Sequence, residues 1–169
     1  MKLLRVLLGV VVGLVAVIAA VLMGARFADG PLGLIAGGPF RSGTLVSGPE
    51  PDWRFARDLN TVAFQLLDPA RSRTTWIMEY DGRIYIPCGY MDTAWGRLWK
   101  HWPIEAERDG RAILRIDGKL YERRLQRLRS GPALEPVLAE LNRKYAAGAT
   151  PATVARDSLW LFEMAPRQP

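Results

Sequence analysis

Apolar positions run unbroken from Val6 to Ala25 and then break into alternating and helical patterns. The opening run holds 20 residues with no charge and no proline, behind the short basic lead Met1-Lys2-Leu3-Leu4-Arg5. At 1.5 Å rise per residue such a run covers roughly 30 Å, the hydrocarbon thickness of a bilayer. It predicts one transmembrane helix within residues 1–26, in contact with lipid over residues 6–25. A cleaved signal peptide is the competing reading, and it needs an apolar stretch of about 7–15 residues before a small-x-small site. The run here is longer, Met23-Gly24-Ala25-Arg26 is a poor site, and Val17-Ile18-Ala19 lies inside the run. Length therefore favours an uncleaved anchor. Gly9 and Gly13 stand at the spacing that lets two membrane helices approach closely, although small residues are frequent in such helices in any case. The amine, Lys2 and Arg5 on one side, against Arg26 and Arg41 on the other, tip the positive-inside count slightly. The N-terminus is expected in the cytoplasm and the globular part on the non-cytoplasmic side of a single-pass membrane protein.

Residues 27–58 are punctuated by Gly30-Pro31, Gly37-Gly38-Pro39, Gly48-Pro49 and Pro51. Pro fixes φ and Gly frees it, so this is read as a linker of irregular backbone. Its apolar members, Leu32, Leu34, Ile35, Phe40, Leu45 and Val46, suggest a linker partly docked on the domain behind it. That domain, residues 59–169, is dominated by strand patterns. Thr61 to Leu67 is β-branched and aromatic, and Thr74 to Tyr80 reads as a second strand. Asp81-Gly82 then precedes the alternating Arg83-Ile84-Tyr85-Ile86-Pro87, and Asp117-Gly118 joins Ala112–Ile116 to Lys119–Leu128. Asp-Gly between alternating runs marks a two-residue hairpin, because a type I′ turn needs φ > 0 at both central residues. Leu159 to Met164 makes a closing strand.

Short helices fall between. Thr93 to Trp102, stopped by Pro103, carries Trp95, Leu98, Trp99 and Trp102 at helical spacing, with a further turn from Ile104 to Asp109. That spacing suits a core-facing helix better than a ring-stacking platform. Pro132 to Ala147 presents Leu134, Val137, Leu138, Leu141 and Tyr145 as one stripe ending at Gly148. Thr150-Pro151 starts another through Asp157. The fold class expected is mainly β (α+β): a small antiparallel barrel of about six strands with short helices, behind one transmembrane helix.

Composition narrows the chemistry by exclusion. One cysteine and one histidine rule out a disulfide framework and a multi-Cys or His-rich metal site. Beyond residue 25 there are 21 basic against 17 acidic residues, a net of +4. That mild excess suits a membrane surface or an anionic cofactor and is too small and dispersed for nucleic acid. Strand 119–128 stands apart, since Tyr121, Arg123, Leu125 and Arg127 share one face and Leu120, Glu122, Arg124, Gln126 and Leu128 the other. Neither face is cleanly apolar, as for a strand lining a groove, or one whose arginine stems cover apolar surface.

Taken in order, Arg71-Ser72-Arg73-Thr74-Thr75-Trp76-Ile77, Tyr80-Asp81-Gly82-Arg83-Ile84-Tyr85-Ile86-Pro87-Cys88-Gly89, Trp99-Lys100-His101-Trp102-Pro103 and Gly110 to Glu122 resemble the flavin-binding split β-barrel superfamily. That group includes pyridoxamine-phosphate-oxidase-like proteins and deazaflavin-dependent nitroreductases. The resemblance covers residues 60–165 in motif order and pattern. It implies a split β-barrel homodimer with FMN or a deazaflavin in a groove between subunits. By position it implies Arg71, Arg73, Thr74 and Thr75 on cofactor phosphate, Cys88 and Gly89 beside the ring system, and Lys100 as a second basic contact. Guanidinium forks and hydroxyls are good phosphate partners. Taken alone, the arginines also read as solvated charges at a strand start, Lys100 as a surface lysine and Cys88 as a small buried thiol. The implied function is a membrane-anchored oxidoreductase acting on a small or membrane-soluble acceptor, with no side chain given a catalytic acid or base role. The loop Pro87 to Met91 is poorer in Gly and Ser than that of deazaflavin enzymes. The alternative is therefore a non-enzymatic anchored binding or assembly module with a degenerate groove.

Overall fold

Both Asp-Gly pairs turn where the pattern puts them: Asp81 and Gly82 have φ of 53° and 69°, and Asp117 and Gly118 of 49° and 72°. The computed structural model describes residues 2–93, 96 and 100–167. Helix α1 is Lys2–Ala25, followed by β1 (Thr44–Leu45), a 3₁₀ turn (Trp53–Arg57), β2 (Thr61–Leu67), β3 (Ala70–Trp76), β4 (Met78–Tyr80) and β5 (Arg83–Gly89). Then come α2 (Trp102–Arg108), β6 (Arg111–Ile116), β7 (Lys119–Leu128), α3 (Leu134–Tyr145), α4 (Pro151–Ala155) and β8 (Leu159–Pro166). The strands form one sheet in the order β3-β2-β6-β7-β8-β5-β4, antiparallel throughout, with β1 added in parallel to β7.

The two ends of that sheet, β3 and β4, are consecutive in the chain and separated by Ile77 alone. A sheet whose end strands are joined by one residue has to curl onto itself, so the architecture is the expected split β-barrel. It has eight strands rather than six. The expected strand 74–80 is two strands broken at Ile77, and β3 starts at Ala70, inside what reads in sequence as a basic lead. Phe64, Leu66, Ile84, Ile86, Leu114 and Phe162 fill the barrel and are at most 1% exposed. A second apolar layer lies outside, where Val137, Leu138 and Leu141 of α3 cover Met78, Tyr85 and Leu161. Full burial of such a side chain contributes about 1.5–3 kcal/mol.

Pro103 opens a helix rather than stopping one. It occupies the first turn of α2, where its missing N–H costs nothing, and Trp102 beside it packs edge-on to Phe64 at 5.1 Å. Trp102 thus belongs to the core; Trp95, Leu98 and Trp99 lie outside the described residues. Helix α3 ends before Gly148, at Ala146, which takes the left-handed conformation itself (φ 49°). Thr150 caps α4 in a reciprocal box with Thr153, ahead of Pro151.

The face of β7 carrying Tyr121, Arg123, Leu125 and Arg127 turns inward. Arg123 reaches Glu50 (2.6 Å) and lies over the Trp53 ring, while Arg127 lies 3.3 Å from the Trp160 ring centroid and pairs with Glu107 and Asp157. Both arginines are paired within the fold, their stems covering apolar surface, and the buried Nε of each has no hydrogen-bond partner among the described residues.

The segment after α1 is fastened to the barrel. Gly37 and Ser72 exchange backbone hydrogen bonds, Ser72 Oγ donates to Gly38 O (2.5 Å), and Phe40 N donates to Gln65 Oε1 (2.5 Å). The Asp29 carboxylate accepts from Ser42 Oγ, from Arg41 N (2.8 Å) and from Arg115 Nη1 (2.9 Å). These bonds, Ser42's foremost, hold the Asp29 pKa far below the usual carboxylate range. A depressed folded pKa contributes stability above the unfolded value of about 4 and loses it as pH falls through the folded value. Protection of the Gly37 amide from hydrogen exchange is expected to fall across that acid range. In Asp29→Asn it is expected to be low already at neutral pH and to show no such acid step.

Candidate functional site

Strand alternation decides which of the expected site residues meet. On β3, Arg71, Arg73 and Thr75 lie opposite Leu66, Phe64 and Val62 of β2 and share their inward face. Thr74 lies opposite Ala63 on the outer face, the one covered by the linker at Gln65 and Ser72. The four residues therefore do not form one cluster. Arg71 bends around the sheet edge, where Nε donates to Gly37 O and Nη2 to Ala36 O, both at 2.8 Å. It holds the linker, and burial lowers its pKa.

Arg73 converges instead on the end of β5. Its guanidinium lies 3.9 Å from Glu105 of α2, and Arg73 Nη1 and Glu105 Oε2 are both buried with no hydrogen-bond partner among the described residues. Burial pushes Arg73 down to about 10, against the opposing pull of Glu105, so it stays protonated at neutral pH. Both Arg73 and Lys100 act electrostatically on Cys88. Lys100 Nζ donates to Gly89 O (3.0 Å) and sits 5.3 Å from the centre of the Tyr90 ring. Tyr90 is 73% exposed and holds φ at 63°, a conformation uncommon for a residue with a side chain. A Cβ placed on Gly89 would meet nothing among the described residues within 4 Å, so they leave the space beside it open.

Arg73, Cys88, Gly89 and Lys100 thus gather at one seam, between β3 and β5, while Arg71 belongs to the linker contact and Thr74 lies on the outer face. Thr75 is on the Arg73 face one step closer to Ile77. Cys88 is 4% exposed beside Met91 Sδ (3.8 Å), and burial pushes its thiol up to about 11. The thiolate is the reactive form, so native Cys88 is expected to resist alkylation at pH 8 and to react once the chain is unfolded. Mass spectrometry after iodoacetamide treatment reads this directly, and rapid native labelling would contradict it. Glu105 and Tyr90 were not legible as site residues. Glu105 sits in a short helix 32 positions from Arg73, and nothing local marks it.

Two surface depressions lie elsewhere. One of about 430 Å³ is lined by Glu50, Asp81, Arg83, Glu163 and Pro166, and one of about 570 Å³ by Asp52, Arg54, Arg57, Glu79 and Tyr80. Both flank the β4–β5 hairpin, are open and of mixed polar and apolar lining, and touch none of the seven expected residues. The convergence of cations at the seam, rather than hollow volume, marks the candidate site.

No family model matches the chain, and no curated protein matches it with significance. Among solved structures it is similar in fold to the conserved hypothetical protein Rv2991 from Mycobacterium tuberculosis, at 14% identity over 77% of this chain and 86% of that one, with a TM-score of 0.49. It is also similar to a protein described as "Putative Pyridoxamine 5'-phosphate oxidase" from Listeria innocua, at 10% identity over 67% and 88% of the two chains, with a TM-score of 0.46. By its own topology the chain is a split β-barrel protein. It carries an N-terminal helix long and apolar enough to cross a membrane, a test that a signal sequence also passes.

Proposed function

We propose that the protein is a membrane-anchored oxidoreductase whose split barrel binds a phosphate-bearing flavin or deazaflavin at the β3–β5 seam. The supporting observation is the pair of cations, Arg73 and Lys100, at the end of β5, with a buried Arg73 N–H left over. An orphaned buried donor costs free energy, and an anionic oxygen is the partner that would satisfy it best. Arg73 and Lys100 would hold the phosphate, and the open space beside Gly89 would admit the ring. Such a cofactor, when bound, supplies hydride or electron transfer, and the protein supplies position and field. Burial of Cys88 removes a competing nucleophile from the ring's neighbourhood. Two copies pairing across the seam would exclude water from it, and an uncleaved α1 would keep the barrel on the non-cytoplasmic face, near a small or lipid-soluble acceptor.

The full chain in detergent, titrated with FMN and with a deazaflavin while visible absorbance is followed, tests the reading. Saturable binding to either is expected, and no measurable affinity for both overturns it. Glu105→Gln removes the carboxylate that competes for Arg73. It is expected to tighten binding about three- to tenfold, and Arg73→Ala to weaken it by about tenfold or more. Thermal melts confirm that both variants remain folded.

One observation favours a second reading, an anchored module with no cofactor. Arg73 already faces Glu105, and Lys100 already serves Gly89 O and the Tyr90 ring. In that case Glu105→Gln leaves flavin affinity absent and only the melting temperature moves.

A further inference from the structure

The connection between α1 and the barrel has no slack. Ala25, the last residue of α1, is 1% exposed. A Cβ on Gly38 would lie 2.4 Å from Arg26 O and 2.6 Å from Ala28 O, and one on Gly37 only 1.7 Å from Gly30 O. Residues 26–30 are therefore pressed against residues 37–38, which are in turn bonded to Ser72 and Arg71 of β3. Between them residues 31–36 form a closed turn, with Leu32 and Ile35 exchanging backbone hydrogen bonds at 3.0 Å each. That turn presents its apolar side chains outward: Leu34 is 99% exposed, Leu32 51%, and Phe27 beside the helix end 69%. Arg26, which precedes Phe27, and Arg41, whose backbone N–H donates to Asp29, are exposed as well.

We infer that Phe27, Leu32 and Leu34 form a foot that rests in the interfacial layer of the bilayer, seating the barrel on the membrane in one orientation instead of letting it swing on a tether. The inference rests on reading α1 as an uncleaved membrane anchor. The hydrocarbon core is roughly 30 Å thick and the whole bilayer about 40–45 Å. A segment that begins at the end of an apolar helix of that length, and is held against that end, lies at the headgroup layer. Large apolar side chains there gain by entering the acyl boundary, and flanking arginines pair with lipid phosphate. Nothing among the described residues covers Leu34, and the lipid phase is the apolar partner that the anchor brings to it.

The test uses the full chain in vesicles of phosphatidylcholine and phosphatidylglycerol. Single replacements Leu14→Cys, Phe27→Cys, Leu34→Cys and Asp81→Cys are labelled with an environment-sensitive fluorophore. Leu34 and Asp81 are exposed, thermal melts check that each variant remains folded, Asp81→Cys at its positive φ included, and unlabelled wild type checks that buried Cys88 takes up no probe. The labels at residues 27 and 34 are expected to shift to the blue and to lose emission to lipid-borne spin labels, while the label at 81 answers only to an aqueous quencher. If residue 14 is lipid-quenched and residues 27 and 34 behave like 81, the foot is refuted while the anchor stands. If residue 14 too is lipid-inaccessible, both readings fall. Protection of residue 34 from both kinds of quencher would mean a second copy covers it, which also overturns the proposal.

Discussion

Replacing Gly37 with valine is expected to strip residues 26–41 from the barrel. The added Cβ would lie 1.7 Å from Gly30 O and 2.9 Å from Pro31 Cα, and both obstacles are backbone atoms that cannot rotate aside. Relief requires separating the two passes of the linker. That breaks the Gly37–Ser72 exchange, orphans Ser72 Oγ beneath Gly38 O, and releases both hydrogen bonds of Arg71. Overpacking with a backbone shift costs about 1–3 kcal/mol, and each buried group left unsatisfied adds about as much again, so a loss of about 3 kcal/mol or more is expected. Trypsin reads the local event through faster cleavage at Arg26 and Arg41, and a denaturant midpoint reads the global one. Gly89→Ala is the control, because a Cβ there meets open space, and its stability should match wild type. Unchanged cleavage in the Gly37 variant would show that the linker is not docked as described.

The second large effect is expected from Lys144→Met, nearly equal in volume to the wild type. Lys144 Nζ, at the end of α3, donates to three backbone carbonyls, those of Ala56 (3.2 Å), Leu59 (2.6 Å) and Ile77 (2.8 Å). Its neighbour Tyr145 accepts from Ile77 N (3.1 Å) and donates to Asn60 O (2.7 Å), while its ring stacks on Trp76 at 4.4 Å. The end of α3 thus latches the place where the two ends of the sheet meet. Methionine fills the space but offers no donor. The Ile77 carbonyl keeps the Tyr145 hydroxyl 2.9 Å away and that of Ala56 keeps the Leu59 amide (3.3 Å), whereas that of Leu59 loses its side-chain donor. With one acceptor left unsatisfied at about 1–3 kcal/mol, and the charge-assisted hydrogen bonds to Ala56 and Ile77 lost besides, a loss of about 2–4 kcal/mol is expected, visible as a lowered denaturant midpoint. Lys144→Arg should not restore it, since a planar fork cannot aim three donors at one point as an ammonium does. A midpoint equal to wild type would mean that water serves these carbonyls as well as the lysine.

Local chemistry carried most of the fold into the sequence, and long-range contact hid the rest. The Asp-Gly hairpins and the bounds of β2 and β7 were readable, because turn geometry and strand alternation act over a few residues. The start of β3 was not. Arg71-Ser72-Arg73 looks polar, and it becomes strand only because a linker more than 30 residues upstream covers its outer side and Phe64 and Leu66 cover the inner. Pro103 was read as a stop because its position relative to the helix start depends on where Trp102 finds the core. At the site, residue types were legible and faces were not. Neighbouring residues on a strand face opposite ways, so Arg73 and Thr74 part to opposite sides. The partners that define Arg71 and Arg73, Gly37 and Glu105, are more than 30 positions away in either direction.

The single-residue joint at Ile77 has a mechanical consequence. It is a covalent pivot between β3 and β4, and α3 is bolted across it through Lys144 and Tyr145. Displacement at the pivot is forbidden by the covalent chain, and travel grows with distance from it. Any parting of β3 from β5 is therefore restrained most beside Ile77 and less with each residue along the two strands, in the direction of Arg73 and Gly89.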